Sequence, residues 1–361
     1  GGTFSSIATT AGWGGVNLFI KGNAAAQAVS NSLQWSKFNS TTGSIESPAP
    51  GSDGTACSGW CTNSAYNLPV TNSTSTDGAG LIGASMVAYN GYLFLIGGSD
   101  NTALKGTIYA AKIGANGEPQ LWHPSDPNQA NWVYWYKVGG SYTPLWYTSA
   151  VAYNGRLYVI GGDSNAQVNS GAIDATAIAD ILPNGTLGSF SSGPTLPSVA
   201  RYSSVQIYNG YLYILGGSGN ALFLNDGAGG TTGKVMYSRV DSSTGSLGSW
   251  KFAAADNSQL GFNTPRASMG GTMTGIWGGY LYIAGGCTAF DANDRCTAVA
   301  SDVQLASINA DGTLDSWNTM LGLRNSRFGH SFVAWQDSLY RFGGCARQST
   351  VNGDCWAAQK G

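Results

Sequence analysis

The chain has 361 residues, of which 42% are hydrophobic and 10% charged; an average soluble domain has about 25% charged residues, so the polar surface here must come from Ser, Thr, Asn, Gln and backbone. A net charge of −2 offers no basic face for nucleic acid, and no stretch reaches the roughly 18 apolar residues that span a bilayer. Twelve Trp and eighteen Tyr exclude a disordered chain, and 53 Gly imply many tight turns.

In chain order the sequence repeats one phrase six times. The chain opens on Gly1-Gly2 without an initiator Met, which reads as a mature or trimmed product. A first unit (1–47) holds "SSIATTAGWGGVNLFIKG" and then "LQWSKFNSTTGSIES". An insertion (48–81) rich in Ser, Thr, Gly and Asn follows, with Cys57 and Cys61 inside it. The second unit (82–123) reads "SMVAYNGYLFLIGG", "GTIYAAKIG" and "NGEPQLW". After the insertion 124–146 comes the third unit (147–191), with "SAVAYNGRLYVIGG", "ATAIADIL" and "NGTLGSF". The fourth (201–251) has "SVQIYNGYLYILGG", "KVMYSRVD" and "TGSLGSW", interrupted by the insertion 218–233. Past the insertion 253–265, the fifth (266–318) has "GTMTGIWGGYLYIAGG", "SDVQLASIN" and "DGTLDSW". The sixth (328–361) has "SFVAWQDSLYRFGG" and ends at "DCWAAQKG", just after a third strand.

Alternating apolar residues on either side of Asn-Gly predict a hairpin, because both turn residues must take positive φ. The closing Gly-Gly allows a backbone turn where a side chain would clash. Two more strands complete a four-stranded antiparallel unit. One such sheet cannot bury both faces by itself, so several must pack face to face about an axis. The expectation is an all-β, six-bladed propeller in one domain, its last blade lacking an outer strand, and a free edge of that kind is a template for pairing.

These marks resemble the kelch-repeat family: the hydrophobic run into Gly-Gly, Tyr109 and Tyr237 in third strands, the fourth-strand aromatics Trp122, Phe190, Trp250 and Trp317, and Arg201, Arg266 and Arg327 before first strands. "GLIGAS" and "PLWYTS" lack the Arg. The resemblance implies a kelch-like propeller, similar to the central domain of galactose oxidase and to tandem propellers of bacterial surface proteins. It does not imply a function, since such propellers include enzymes, lectins and scaffolds.

The six cysteines fall in three close pairs, Cys57/Cys61, Cys287/Cys296 and Cys345/Cys355. Local disulfides are the expected pairing, with free thiols and zinc as the alternatives, and disulfides place the protein outside the cytosol, secreted or on a cell surface. Sequons at Asn39, Asn72 and Asn184 suit that location.

Candidate chemistry is sparse. The copper site of galactose oxidase needs two His, two Tyr and a Cys; the only histidines here, His123 and His330, fall on different strands, and no metal or other cofactor is expected. His330, in "RFGH", reads as a packed, hydrogen-bonded residue. Arg201, Arg266 and Arg327 could converge near the axis as a carboxylate site, or each could hold backbone carbonyls. "NADGTLDSW" reads as a hairpin turn in preference to a calcium loop. The stretch "NWVYWYKVGGSYTPLWY" carries Trp132, Tyr134, Trp135, Tyr136, Tyr142, Trp146 and Tyr147. It reads as a long hairpin about Gly139-Gly140, either folded over its own blade or offering rings to a sugar or a protein. The resulting functional expectation is a non-catalytic surface or secreted module, structural or adhesive, whose partners are other protein subunits, surface proteins or further copies of itself, with no nucleic acid and no membrane insertion. A glycan-binding lectin is the alternative, and a carbohydrate-active enzyme ranks third.

Overall fold

The computed structural model describes residues 8–13, 16–21, 33–39, 41–42, 44–46, 61–68, 81, 83–99, 103–115, 117–126, 131–139, 143–164, 171–197, 199–217, 235–253, 262, 264–268, 272–290, 296–320, 322–335 and 338–345. Apart from one short 3₁₀ turn, Ser64–Tyr66, the regular structure there is β, in antiparallel sheets.

Sheet 1 holds β1 (Ala8–Trp13), β2 (Val16–Lys21), β3 (Leu33–Phe38) and β4 (Ile45–Glu46), with β5 (Cys61–Thr62) also on β3. Sheet 2 holds β6 (Ser85–Tyr89), β7 (Tyr92–Ile96) and β8 (Ile108–Ile113), and both β9 (Pro119–Gln120) and β10 (Trp135–Lys137) pair with β8. Sheet 3 runs β11 (Ser149–Tyr153), β12 (Arg156–Ile160), β13 (Thr176–Asp180), β14 (Ser191–Ser192). Sheet 4 runs β15 (Ser204–Tyr208), β16 (Tyr211–Leu215), β17 (Val235–Arg239), β18 (Lys251–Phe252). In sheet 5, β19 (Thr274–Trp277) and β20 (Tyr280–Ala284) precede a side hairpin of β21 (Cys287–Phe290) and β22 (Cys296–Val299); β23 (Val303–Ser307) and β24 (Asn318–Thr319) then complete the sheet. Sheet 6 is described as the pair β25 (Phe328–Trp335) and β26 (Ser338–Cys345); its expected third strand lies outside the described residues. Each first strand lies beside the next, β1 by β6, β6 by β11, β11 by β15, β15 by β19 and β19 by β25, and β25 lies beside β1.

The Asn-Gly turns behave as their chemistry requires. Asn90, Asn154 and Asn209 have φ of 47°, 48° and 53°, each followed by Gly at positive φ. In sheets 2 to 4 the last four residues of the second strand are apolar because both faces are buried. On β12, Leu157 and Val159 pack with Phe94 and Ile96 of sheet 2, whereas Tyr158 and Ile160 pack with Leu212 and Ile214 of sheet 4. The next interface joins Tyr213 and Leu215 to Leu281 and Ile283, and the first joins Leu33 and Trp35 to Leu93 and Leu95. Each fully buried aliphatic contributes about 1.5–3 kcal/mol.

The Gly-Gly doublets have a specific task. The N–H of the second glycine donates to a carbonyl just ahead of the next sheet: Gly98 to Leu145, Gly162 to Ala200, Gly217 to Arg266 and Gly286 to Arg327, at 2.6–3.0 Å. That carbonyl passes over the first glycine so closely that a Cβ on Gly97, Gly161, Gly216 or Gly285 would lie 2.1–2.5 Å from its oxygen. The doublet is therefore a latch between consecutive sheets. A second contact ties the far edges: Tyr158 donates to the Gly245 carbonyl at 2.7 Å and Tyr213 to the Gly312 carbonyl at 2.9 Å.

Two insertions supply strands. β4 and β9 cover only two residues of the six-residue strands β3 and β8, and β5 (from 48–81) and β10 (from 124–146) cover more of the same edges. The arms of the expected long hairpin thus have separate partners: Trp135 stands opposite Ala111, and Trp146 bridges to Asp163.

Candidate functional site

Where the first strands begin, the chain places small hydroxyl residues at matching positions, and they bind across the sheets. The Ala150 N–H donates to Ser85 Oγ at 3.1 Å, Ser149 Oγ donates to the Ser203 carbonyl at 2.8 Å, and the Met273 N–H donates to Ser204 Oγ at 3.0 Å. A backbone relay runs beside them. Tyr147 N–H donates to the Gly83 carbonyl, Tyr202 to Tyr147, Ser268 to Tyr202 and Gly329 to Ser268, at 2.7–3.3 Å. Four of these five residues hold positive φ: Gly83 66°, Tyr147 52°, Tyr202 56° and Gly329 60°. Glycine takes this conformation freely, whereas each Tyr bears a cost of about 1–2 kcal/mol that its packing must exceed.

Ser85, Thr148, Ser149, Ser203, Ser204 and Ser268 line a cavity with Tyr147 and Tyr202, leaving about 40 Å³ of space open to water. That is room for about two or three waters. The lining is neutral and rich in hydroxyls, so it can exchange hydrogen bonds but cannot supply a charge. Above it the rings form a column: Trp146 to Tyr147 at 4.6 Å, Tyr147 to Tyr202 at 4.3 Å, and Tyr202 stacked on Phe290 at 6.2 Å. The column packs with the Cys287–Cys296 disulfide. Cys61 and Cys345 are also disulfide-bonded, whereas Cys57 and Cys355 lie outside the described residues.

The arginines differ in what neutralises them. Arg201 pairs with Asp163 at 2.7 Å, with side chains 4% and 0% exposed. Arg266 is fully buried and bidentate to Asp302, at 2.8 and 2.9 Å, and also donates to the Gly285 carbonyl. Burial pushes the Asp302 carboxyl up, but the hydrogen bonds and charge of Arg266 outweigh it and hold the group below its ordinary value. Arg327 donates only to a carbonyl, that of Gly344 at 3.2 Å. Arg341 donates to the Asn325 carbonyl; burial, then the charge of Arg327, lower its pKa. His330 is buried as expected, but neither ring nitrogen makes the expected hydrogen bond, because no donor or acceptor among the described residues is placed to meet it. Burial, then the Arg341 charge, hold it down at about 3, against the backbone of Ala284 and Arg327, which favours its cation.

The aromatic segment is largely interior. Trp135, Trp146 and Tyr147 are 5%, 4% and 9% exposed. Trp135 donates to the Tyr66 carbonyl at 2.8 Å and packs in the core between sheets 1 and 2, whereas Tyr136 packs on Trp122 between sheets 2 and 3. Tyr134 lies edge-on to Tyr66, and the Trp132 indole donates to the Asp126 carbonyl. Trp132, Tyr134 and Tyr136 are only partly buried. Tyr142 lies outside the described residues. His123 abuts Tyr136 in sheet 2, away from His330 in sheet 6, and among the described residues no group of three or more His, Cys, Asp or Glu could hold a metal ion. In "NADGTLDSW" the Asp311 carboxylate accepts from the Thr313 amide and hydroxyl, closing the turn on itself.

Sequence reading did not single out Asp163, Asp302, Tyr202 or Arg341. Asp163 follows a Gly-Gly, which was a usable signal; nothing in the repeat marks Asp302. No helix among the described residues is long and apolar enough to cross a membrane. No family model matches the chain, and no curated protein matches it.

Proposed function

We propose that the chain is a six-bladed kelch-like β-propeller acting outside the cytosol as a non-catalytic module for protein interaction, structural or adhesive. The contact of β25 with β1 supports closure, since it joins the last sheet to the first. The repeated latch and the paired cores support the view that each sheet is one blade. The Cys287–Cys296 disulfide fits an oxidising compartment.

One observation carries the interaction reading. Polar chemistry inside is committed to the scaffold, in the Arg201–Asp163 and Arg266–Asp302 pairs, whereas large apolar side chains stand outside on adjacent hairpin tips. Trp277 and Tyr280 at the tip of sheet 5 are 37% and 43% exposed, and Leu339 at that of sheet 6 is 38% exposed. Exposed rings at the ends of a rigid scaffold suit a protein partner, a second copy included. Light scattering across a concentration series tests this. Association that weakens in Trp277→Ser/Tyr280→Ser supports it; a strictly monomeric protein that also adheres to no surface protein refutes it.

A further inference from the structure

Two residues before each glycine pair, the hairpins bury an aliphatic side chain: Leu95, Val159, Ile214 and Ile283, each no more than 1% exposed. The opposite first-strand residues are Met86, Ala150, Val205 and Thr274. Sheet 6 breaks this rule. The same position is Arg341, opposite Phe332. Phe332 packs with Ala284 and Val303 of sheet 5, so Arg341 occupies the register that faces sheet 5. Among the described residues that interface buries Ala284, Val303 and Phe332.

Arg341 is half-buried, and partly burying an arginine where aliphatics belong costs free energy that a counter-charge would offset. Arg201 and Arg266 each have an Asp, but Arg327 and Arg341 reach only the carbonyls of Gly344 and Asn325 and face no carboxylate among the described residues. Like charges held together without an acid are a standing demand for an anion, and paired guanidiniums fit a planar carboxylate.

We propose that Arg327 and Arg341, at the junction of sheets 5 and 6, bind the carboxylate of an acidic sugar. The surroundings favour a sugar over a peptide. They are faces of sheets, whose backbone groups are spent in the β20–β23 and β25–β26 ladders, so an extended peptide finds no main-chain partners. The half-buried Tyr282 and Leu323 offer an apolar surface to the C–H face of a ring. The lowered pKa of Arg341 agrees with a cation lacking its counter-charge.

The test titrates the intact protein, at low salt, with D-glucuronate, D-glucose and N-acetyl-aspartate amide, following the arginine Nε–Hε signals by NMR. Glucuronate is expected to bind saturably with a millimolar Kd, and glucose not at all. Arg341→Leu restores the residue type of the other hairpins, so it is expected to melt at the same or a higher temperature while losing affinity about tenfold or more, the worth of a charge-assisted hydrogen bond. Arg327→Gln leaves the backbone latch in place and is expected to lose affinity similarly. No saturation by glucuronate at about 50 mM, well above a millimolar Kd, or unchanged affinity in Arg341→Leu, overturns the site. Equal or tighter binding of the aspartate amide overturns the assignment to a sugar.

Discussion

Sheets 3 and 4 on one side and sheet 6 on the other are built from the same hairpin but solve its burial differently. In sheets 3 and 4 the second strand is apolar on both faces, with Val159 and Ile214 at its inner register and a tyrosine, Tyr158 or Tyr213, tying it to a glycine turn of the next sheet. In sheet 6 the same register carries Arg341, and His330 sits buried without a hydrogen bond. The regular sheets teach what the repeat needs to hold together. The irregular one places a charge in a column that is apolar elsewhere in the repeat.

The latch offers the sharpest way to break the regular half. A Cβ on Gly161 would lie 2.1 Å from the Ala200 oxygen, in a residue at φ 57°, whereas one on Gly155, φ 75°, meets nothing within 4 Å. Gly161→Ala is expected to cost about 3–5 kcal/mol in urea unfolding, by displacing the carbonyl and straining the backbone; Gly155→Ala carries only the backbone strain, about 1 kcal/mol. Equal losses would mean that the doublet serves the turn and not the joint. Next in size, Asp163→Ala leaves Arg201 buried without its carboxylate and is expected to cost about 3 kcal/mol, which calorimetry would register as a large fall in Tm.

The irregular half is sharpened by pH. His330 has its folded pKa at about 3, below the ordinary value of 6.5, so the unfolded chain takes up a proton that the folded one refuses. Its contribution to stability is complete above about pH 6.5 and is lost progressively as pH falls toward 3. Asp302, lowered by Arg266, adds a further loss as pH falls below the unfolded carboxyl value of about 3.9. The slope of Tm against pH between 6 and 4.5 is expected to flatten in His330→Asn. A slope that does not change would assign the acid sensitivity elsewhere.

The smallest effects test equivalence. Tyr158→Phe and Tyr213→Phe each remove one hydroxyl that donates to a glycine carbonyl, and each is expected to cost about 1 kcal/mol. Clearly different losses would show that sheets 3 and 4 are not interchangeable.

Much of this was legible in the sequence, and the reason is periodic. Asn-Gly, Gly-Gly and the strand aromatics are local demands of backbone geometry, so they recur wherever the geometry does. The all-β class and the four-stranded sheets followed from them. Segment 131–147 was harder: its rings alternate across a strand, which says that both faces are apolar but not that both are covered. The cores on either side of β10 cover Trp135 and Tyr136 in turn. The partners of the arginines were not legible, because Asp163 and Asp302 reach them through the fold. Arg341 was legible in principle, since "SLYRFGG" set beneath "YLFLIGG" puts a charge in an apolar column.

Closure of the sheets is the claim on which the propeller reading rests, and spin-label distances measure it directly. Labels on β1 and β25 are predicted to lie as close together as labels on the neighbouring strands β6 and β11, with β1 to β15 clearly longer. A β1–β25 distance exceeding that from β1 to β15 would mean an open array and would contradict the ring.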